Sequence, residues 1–349
     1  KTAEPFLPAG TVIAREQTYV HTFYKKEATA QQPATSKEEG NLVAFSGPDF
    51  KATFDKQSGL LTSYLYKKHE YILNGQGPRP FFWRAPTDND YGANLPVRLK
   101  AWKEASYQEP KAESFQVTPG SNATTIKVTY RFPQTDARWD ITYKIYASGV
   151  IKVDNRFVAE GDQAPMIPRV GLRMQLPESF TDLTYYGRGP KENYRDRRTS
   201  QFIGEYAIPV KDMYEPYVRP QENNHRTDIY WCALTDKTQR GLLLIADRTF
   251  ELNASNYPLE SMDSGDTIDN GAPRTEKTHH RHLTDPLPEK MVDLFIDYRM
   301  MGVGGDDSWG ATAHEPYLIR PGKENAIEYG FSLVPFDKKE DYKYLIRQY

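Results

Sequence analysis

Polar and apolar side chains alternate along much of this chain with a period of two. Thr124-Thr125-Ile126-Lys127-Val128-Thr129-Tyr130-Arg131-Phe132 alternates, Asp140 to Tyr146 does so again, and Val150 to Phe157 follows after a turn at Gly149. Successive side chains of an extended chain point to opposite faces, so these segments predict consecutive antiparallel strands with one wet face. Gly241 to Ala246 is apolar throughout and predicts a central strand covered on both faces. Met291 to Tyr298 and Ala326 to Val334 predict further strands. Glycines and 25 prolines punctuate the whole length. A helical period is scarce: Pro96 to Ser106 is the best candidate, and no internal repeat is found.

The pattern breaks once. Glu27 to Gly40 (EATAQQPATSKEEG) is small, polar and proline-containing, which is linker chemistry. Before it, Gly10 to Val20 predicts a single strand, and a lone strand cannot bury a face unaided. Residues 1–26 therefore read as the last strand of a preceding sandwich domain, and the chain as part of something longer. Residues 27–40 read as a linker, 41–338 as one large antiparallel β-sandwich, and 339–349 as a C-terminal tail.

Composition removes several function classes. Lys plus Arg is 45 and Asp plus Glu 47, so no basic excess invites nucleic acid or an anionic membrane. Cys232 is the only cysteine, which excludes a disulfide framework and a cysteine-based zinc site. No run of about 18 apolar residues predicts a membrane-spanning helix. Lys1 to Pro8 has no apolar signal core, which leaves the compartment open between bacterial cytoplasm and periplasm. Aromatics make up 13%, with 24 tyrosines; they suit strands, and they suit surfaces that stack on sugars.

Five polar clusters interrupt the strand pattern. Trp83-Arg84-Ala85-Pro86-Thr87-Asp88-Asn89-Asp90-Tyr91-Gly92 is rich in Asx residues, which bond their own backbone in turns; clustered oxygens also suit calcium or sugar hydroxyls. Tyr185 to Arg197 (YYGRGPKENYRDR) has the two glycines of a phosphate loop without the third, so a nucleotide reading is poor. Its density of Arg, Glu, Asn and Asp suggests a hydrogen-bond network, with structural ion pairs the simpler account. Pro220 to Asp228 (PQENNHRTD) reads as a polar loop. In His279-His280-Arg281-His282, an extended chain would put His280 and His282 on one face, a spacing metals use, with no third ligand in sight; a structural or sugar-contacting role is the preferred reading. Gly302-Val303-Gly304-Gly305-Asp306-Asp307-Ser308-Trp309-Gly310 is too glycine-dense for a helix or strand interior and reads as a shaped loop. Its Trp309 either plugs a neighbouring domain or offers an indole face to a ligand.

The set R-A-P-T-D-N-D, Y-G-R-G-P-x-E-N-Y-x-D-R, P-Q-E-N and G-x-G-G-D-D-S-W-G, in that order from about Leu42 to Val334, resembles the C-terminal domain of glycoside hydrolase family 2 β-galactosidases, the β-galactosidase small chain. Gly10 to Gln17 resembles the end of the immunoglobulin-like domain that precedes it in those enzymes. The resemblance implies an all-β fold, a large antiparallel supersandwich similar to the galactose mutarotases. It implies that the catalytic acid/base and nucleophile are two glutamates on an upstream TIM-barrel domain, a pair that retaining enzymes hold about 5 Å apart. No catalytic residue and no cofactor is then expected in this chain; the Mg and Na typical of the family bind upstream. The implied partners are a β-galactoside, the upstream barrel and immunoglobulin-like domains, and further copies in a homo-oligomer. Trp309 is the residue expected to line the galactose pocket, with Asp306, Asp307, Arg84, Asp88, Asn89 and Asp90 around its mouth. Arg188, Glu192, Asn193, Tyr194, Asp196, Arg197, Glu222, His280 and His282 are expected as structural residues or further sugar contacts. Asn224 stands where the family often has glycine, and Asn tolerates the left-handed conformation such a turn needs. Two other readings are a free-standing mutarotase-like epimerase, using His280 or His282 with Glu192 or Glu222 as acid and base, and a sugar-binding module without chemistry.

Overall fold

The computed structural model describes residues 3, 5–18, 32–160, 166–265, 282–307, 310–338 and 340–348. Five strands, β1 (Thr35–Glu39), β2 (Leu42–Ser46), β3 (Phe50–Asp55), β4 (Leu61–Tyr66) and β5 (His69–Glu70), pair in chain order as an antiparallel meander. β6 (Arg79–Phe81) follows, then three short helices, α1 (Asp88–Gly92), α2 (Leu95–Arg98) and α3 (Lys100–Tyr107). A second meander is built by β7 (Ala112–Thr118), β8 (Thr124–Phe132), β9 (Ala137–Ile145) and β10 (Ile151–Ala159). The chain continues through β11 (Arg169–Pro177), β12 (Asp182–Gly189), β13 (Phe202–Pro209), β14 (Arg226–Thr235), β15 (Gly241–Ser255), β16 (Met291–Met300) and β17 (Ile327–Phe336), and ends in α4 (Tyr342–Leu345).

β6 to β17 form one antiparallel sheet of 12 strands, whose main path runs β13-β12-β14-β15-β17-β10-β9-β8-β7. β15 makes the sheet branch. Its first half, Gly241 to Ala246, lies between β14 and β17, while Glu251 to Ser255 pairs with β16, which leads on to β11 and β6. Register slips between β14 and β15 at Arg226/Ile229 and Ile229/Trp231 sit beside the change of partner, as bulges do where a sheet turns. The five-stranded sheet closes the core from another side. Phe54 of β3 meets Tyr143 of β9 edge-on at 5.1 Å, and the Tyr64 hydroxyl donates to the Gly149 carbonyl at 2.5 Å.

The all-β architecture is present, and so are the strands predicted at Thr124 to Phe132, Asp140 to Tyr146, Val150 to Phe157, Gly241 to Ala246, Met291 to Tyr298 and Ala326 to Val334. Gly241 to Ala246 is buried throughout, as an apolar run on both faces requires. The helical candidate at Pro96 to Ser106 falls on α2 and α3, where Trp102 is buried against Phe82 and Phe157. Two readings change. The stretch read as a linker gives way to structure before Gly40: Pro33 bridges Tyr146, and Thr35–Glu39 is an edge strand whose exposed charges suit a sheet margin. Residues 11–18 are exposed, and Gln17 trades two side-chain hydrogen bonds, 2.8 and 2.7 Å, with the backbone of Ile203 on β13; the strand expected there would belong to a preceding domain. The segment Pro220 to Asp228, read as a polar loop, is not a loop throughout, because β14 starts at Arg226.

Candidate functional site

The glycine loop after β16 is gripped by two of the other polar clusters. Thr87 caps α1 in a reciprocal box, accepting from the Asp90 N–H at 3.2 Å while the Asp90 carboxylate accepts from the Thr87 N–H at 3.0 Å. That box sets Asp90 against Arg84 in a buried two-point ion pair, Nε to Oδ2 2.9 Å and Nη2 to Oδ1 2.7 Å. Arg84 also donates to the carbonyls of Met301 at 2.7 Å and Gly302 at 3.1 Å, and Asn89 donates to the Val303 carbonyl at 3.3 Å. From the other side Asp196 accepts from the N–H groups of Val303 at 3.2 Å and Gly304 at 2.7 Å. The loop therefore has its carbonyls held by one cluster and its amides by another. Gly302 is obligatory here, since a Cβ would lie 2.5 Å from Asp196 Oδ2 and 2.7 Å from Ala313 Cβ. At the loop's far end Gly310 has φ +142°, and a Cβ there would meet the Gly92 carbonyl at 2.8 Å.

Next to this platform lies a buried polar network, joined to it by the Glu222 N–H donating to the Ala85 carbonyl at 3.1 Å. Arg169, the first residue of β11, is fully buried with Nη2 3.3 Å from Glu222 Oε1 and 3.1 Å from Asn253 Oδ1, and Nε 3.2 Å from Asp297 Oδ2. Asn253 donates to Glu222 at 2.9 Å and to the Asn223 carbonyl at 2.8 Å, so its oxygen is the acceptor facing His225 Nδ1 at 2.6 Å. The other ring nitrogen of His225 meets Glu251 Oε2 at 2.9 Å. Two acceptors on two nitrogens call for the imidazolium. Burial alone would lower the His225 pKa; the hydrogen bond and charge of Glu251 override it, and the pKa is raised. Burial pushes the Asp297 carboxyl up to about 7, with Arg169 and His225 pulling the other way. Glu251 also pairs with Arg195 at 3.1 Å and accepts from the Met300 N–H at 2.8 Å.

The second and third clusters close around this network. Asn193, fully buried, bonds the Arg188 and Lys191 carbonyls, each at 3.0 Å, and accepts from the Thr227 N–H at 3.0 Å and hydroxyl at 2.6 Å. Tyr194 stacks on His225 at 5.4 Å. Glu192 accepts from the Asn224 N–H at 2.8 Å and binds Arg197 and Tyr217. Asn224 has φ +59°, the left-handed turn anticipated for it. Arg188 and Arg198 share Asp228, each at best within 2.8 Å. Of the residues expected around a pocket mouth, Arg84 and Asp90 are buried and spend their polar atoms on each other and the loop. Asp88, Asp306 and Asp307 are exposed; Asp306 bonds His314 at 2.7 Å, and Asp307 accepts from the Ala311 N–H at 3.3 Å. Trp309 and His280 lie outside the described residues. His282 is half exposed with Asp285 at 3.4 Å, and among the described residues no group of three or more His, Cys, Asp or Glu side chains could hold a metal.

Arg169, Arg195, His225, Glu251, Asn253 and Asp297 were not singled out as site residues by sequence. Part of the signal was there: Glu251 and Asn253 alternate within a strand, and Asp293 and Asp297 sit in the apolar run of β16. A charged residue facing the same side of a buried strand as its apolar neighbours is a partner in waiting. Which cation completes it depends on strand pairing.

Residues 46–333 match the family model described as the β-galactosidase small chain. A β-galactosidase of Priestia megaterium is 33% identical over 291 residues, covering 83% of this chain and 26% of that protein. One of Halalkalibacterium halodurans is 30% identical, covering 83% and 27%, and one of Streptococcus thermophilus 28% identical, covering 97% and 31%. The chain thus spans less than a third of the length of these curated relatives. A solved GalM/aldose epimerase homologue from C. elegans is more remote, with TM-score 0.45 and 10% identity over 83% of this chain and 96% of that one, too distant to argue from. The family match runs over most of the chain and takes in Arg84, Asp90, Asp196 and the loop to Gly310; this chain belongs to the β-galactosidase small chain family.

Proposed function

We propose that this chain is the substrate-platform part of a retaining β-galactosidase of glycoside hydrolase family 2, with the reacting glutamates on an upstream barrel domain. The observation that carries this reading is the double grip on Met301 to Gly304 by Arg84, Asn89 and Asp196. Two separated polar clusters thus fix the position of four residues of irregular backbone. Two carboxylates and an indole follow within five residues. In this reading Trp309 stacks on the apolar face of a galactosyl unit, and Asp306 and Asp307 meet its hydroxyls.

The chemistry of the buried carboxylates supports binding rather than bond cleavage here. A retaining glycosidase needs a nucleophile in reach of the anomeric carbon and an acid about 5 Å away. Glu222, Glu251 and Asp297 are buried and set against cations instead. The same holds for epimerase chemistry: Glu192 and Glu222 have their oxygens committed, and His282 faces Asp285.

Hydrolysis of nitrophenyl-β-galactoside by the chain alone tests the division of labour: no turnover is expected, and clear turnover would place a complete active site within it. In the parent enzyme, Trp309→Ala should raise KM strongly, and an unchanged KM would remove the stacking role.

A further inference from the structure

Arg169 and Arg173 sit four residues apart on β11 and so on one face, as do Asp297 and Asp293 on β16. They make two successive Arg–Asp rungs, with the Phe295 ring between the guanidiniums at 4.1 and 5.4 Å. The first rung belongs to the network beside the loop. The second, about 13 Å further along at 3.3 Å per residue, borders a cavity of about 330 Å³ where β6 meets β11. In that cavity Arg79 is directly opposite Arg173 in the ladder, a like-charge pairing that costs stability unless something offsets it. Arg173 is saturated, bonded at two points to Asp293 and at two points to Glu260. Arg79 donates to the Ser106 carbonyl and forms no ion pair among the described residues.

The cavity also collects hydrogen-bonding groups that the protein itself does not use. The side-chain amides of Gln76 and Gln175 and the Tyr107 hydroxyl line it and make no hydrogen bond among the described residues. The charged residues that line it, Arg79 and Arg173 against Glu260 and Glu289, sum to no net charge, so the wall does not select an anion. Unspent donors and acceptors stand together there, and Met291 and Pro258 add an apolar patch. Each hydroxyl of a sugar both donates and accepts, and its ring offers a C–H face. The volume is at the small end of ligand pockets, suited to a single ring.

We infer that this cavity is a binding site for one neutral saccharide unit, distinct from the loop platform and independent of what Trp309 does. The test is NMR titration of the full chain with methyl β-galactoside, methyl β-glucoside and glucuronate as probes, following the amides of Gln76, Gln175 and Met291. Saturable shifts with a neutral glycoside are expected, weakened about tenfold by Gln175→Ala or Arg79→Met, the loss of one or two hydrogen bonds. Gln175→Ala should keep the wild-type Tm, so its loss of binding cannot be a loss of fold. Trp309→Ala should leave these shifts intact. The inference falls if neither glycoside gives saturable shifts, if glucuronate alone does so, which would make this an anion site, or if Trp309→Ala abolishes the shifts, which would return the binding to the platform.

Discussion

His225 and Asp297 show how burial turns single side chains into pH-dependent parts of the fold. Asp297 holds its proton in the folded protein to a pH of about 7, while the unfolded chain releases it near the ordinary value of 3.8. Between these limits the folded state binds more protons, so this group's contribution to stability falls as pH rises. The raised pKa of His225 acts in the same direction above the ordinary value of 6.5: its stabilisation is complete below that and fades as pH climbs through the folded pKa. Asn in place of Asp297 keeps the shape and removes the titration. The Tm of Asp297→Asn minus that of the wild type should therefore drift in the variant's favour from about pH 4 to about pH 7. A flat difference across that range would mean that Asp297 is ionised throughout. The same residues mark a limit of sequence reading. His225 was visible inside a polar segment, but a polar segment reads as loop, and only its neighbours Glu251 and Asn253 on β15 make it a buried cation.

Among the elements, the loop after β16 and the helix cap at Thr87 behave as one unit. Breaking a buried ion pair by removing one partner costs about 3–5 kcal/mol, and Arg84 carries the loop carbonyls as well. Asp90→Asn should therefore lower stability substantially, readable as a shift in urea midpoint, whereas Asp196→Asn weakens the hold on two loop amides and should act mainly on substrate KM in the parent enzyme. Gly302→Ala forces a Cβ against Asp196 and Ala313, and a cost of about 1–3 kcal/mol is expected for such overpacking. A Gly302→Ala variant as stable as wild type would show that the loop yields without resistance. Glycine density announced a shaped loop in the sequence. What shapes it, the Arg84 guanidinium on one side and the Asp196 carboxylate on the other, is contributed from positions more than a hundred residues away.

Across the molecule, the five-stranded meander and the 12-stranded sheet share one apolar core, and Phe54 is among its main links. It is fully buried, edge-on to Tyr143 at 5.1 Å, with Phe45 at 5.8 Å and Phe115 at 6.4 Å. Phe54→Ala should cost about 3–5 kcal/mol and still unfold in a single calorimetric transition. Two separated transitions would mean that the meander is a unit of its own. The far end of the chain is tied in as well: Tyr342 of α4 packs on Trp231 and Phe336, and Lys67 pairs with Asp337 at 2.8 Å. Residues read as a tail thus cover a second, smaller apolar cluster around Trp231 and Leu243.

Strand identity was local information and the sequence carried it. A period of two, an unbroken apolar run in β15 and turn residues between them reflect how one extended segment sorts its own side chains between water and core. The motifs that mark the family were legible for the same reason, since each is a short segment read in order. The partners were not legible. Arg169 finds Asp297, Arg84 finds the Met301 carbonyl, and Arg79 comes to face Arg173 because β6, β11, β15 and β16 pair in one particular register. Electrostatic and hydrogen-bond energies depend on distances of a few ångströms between residues far apart in the chain, and those distances exist only once the sheet has closed.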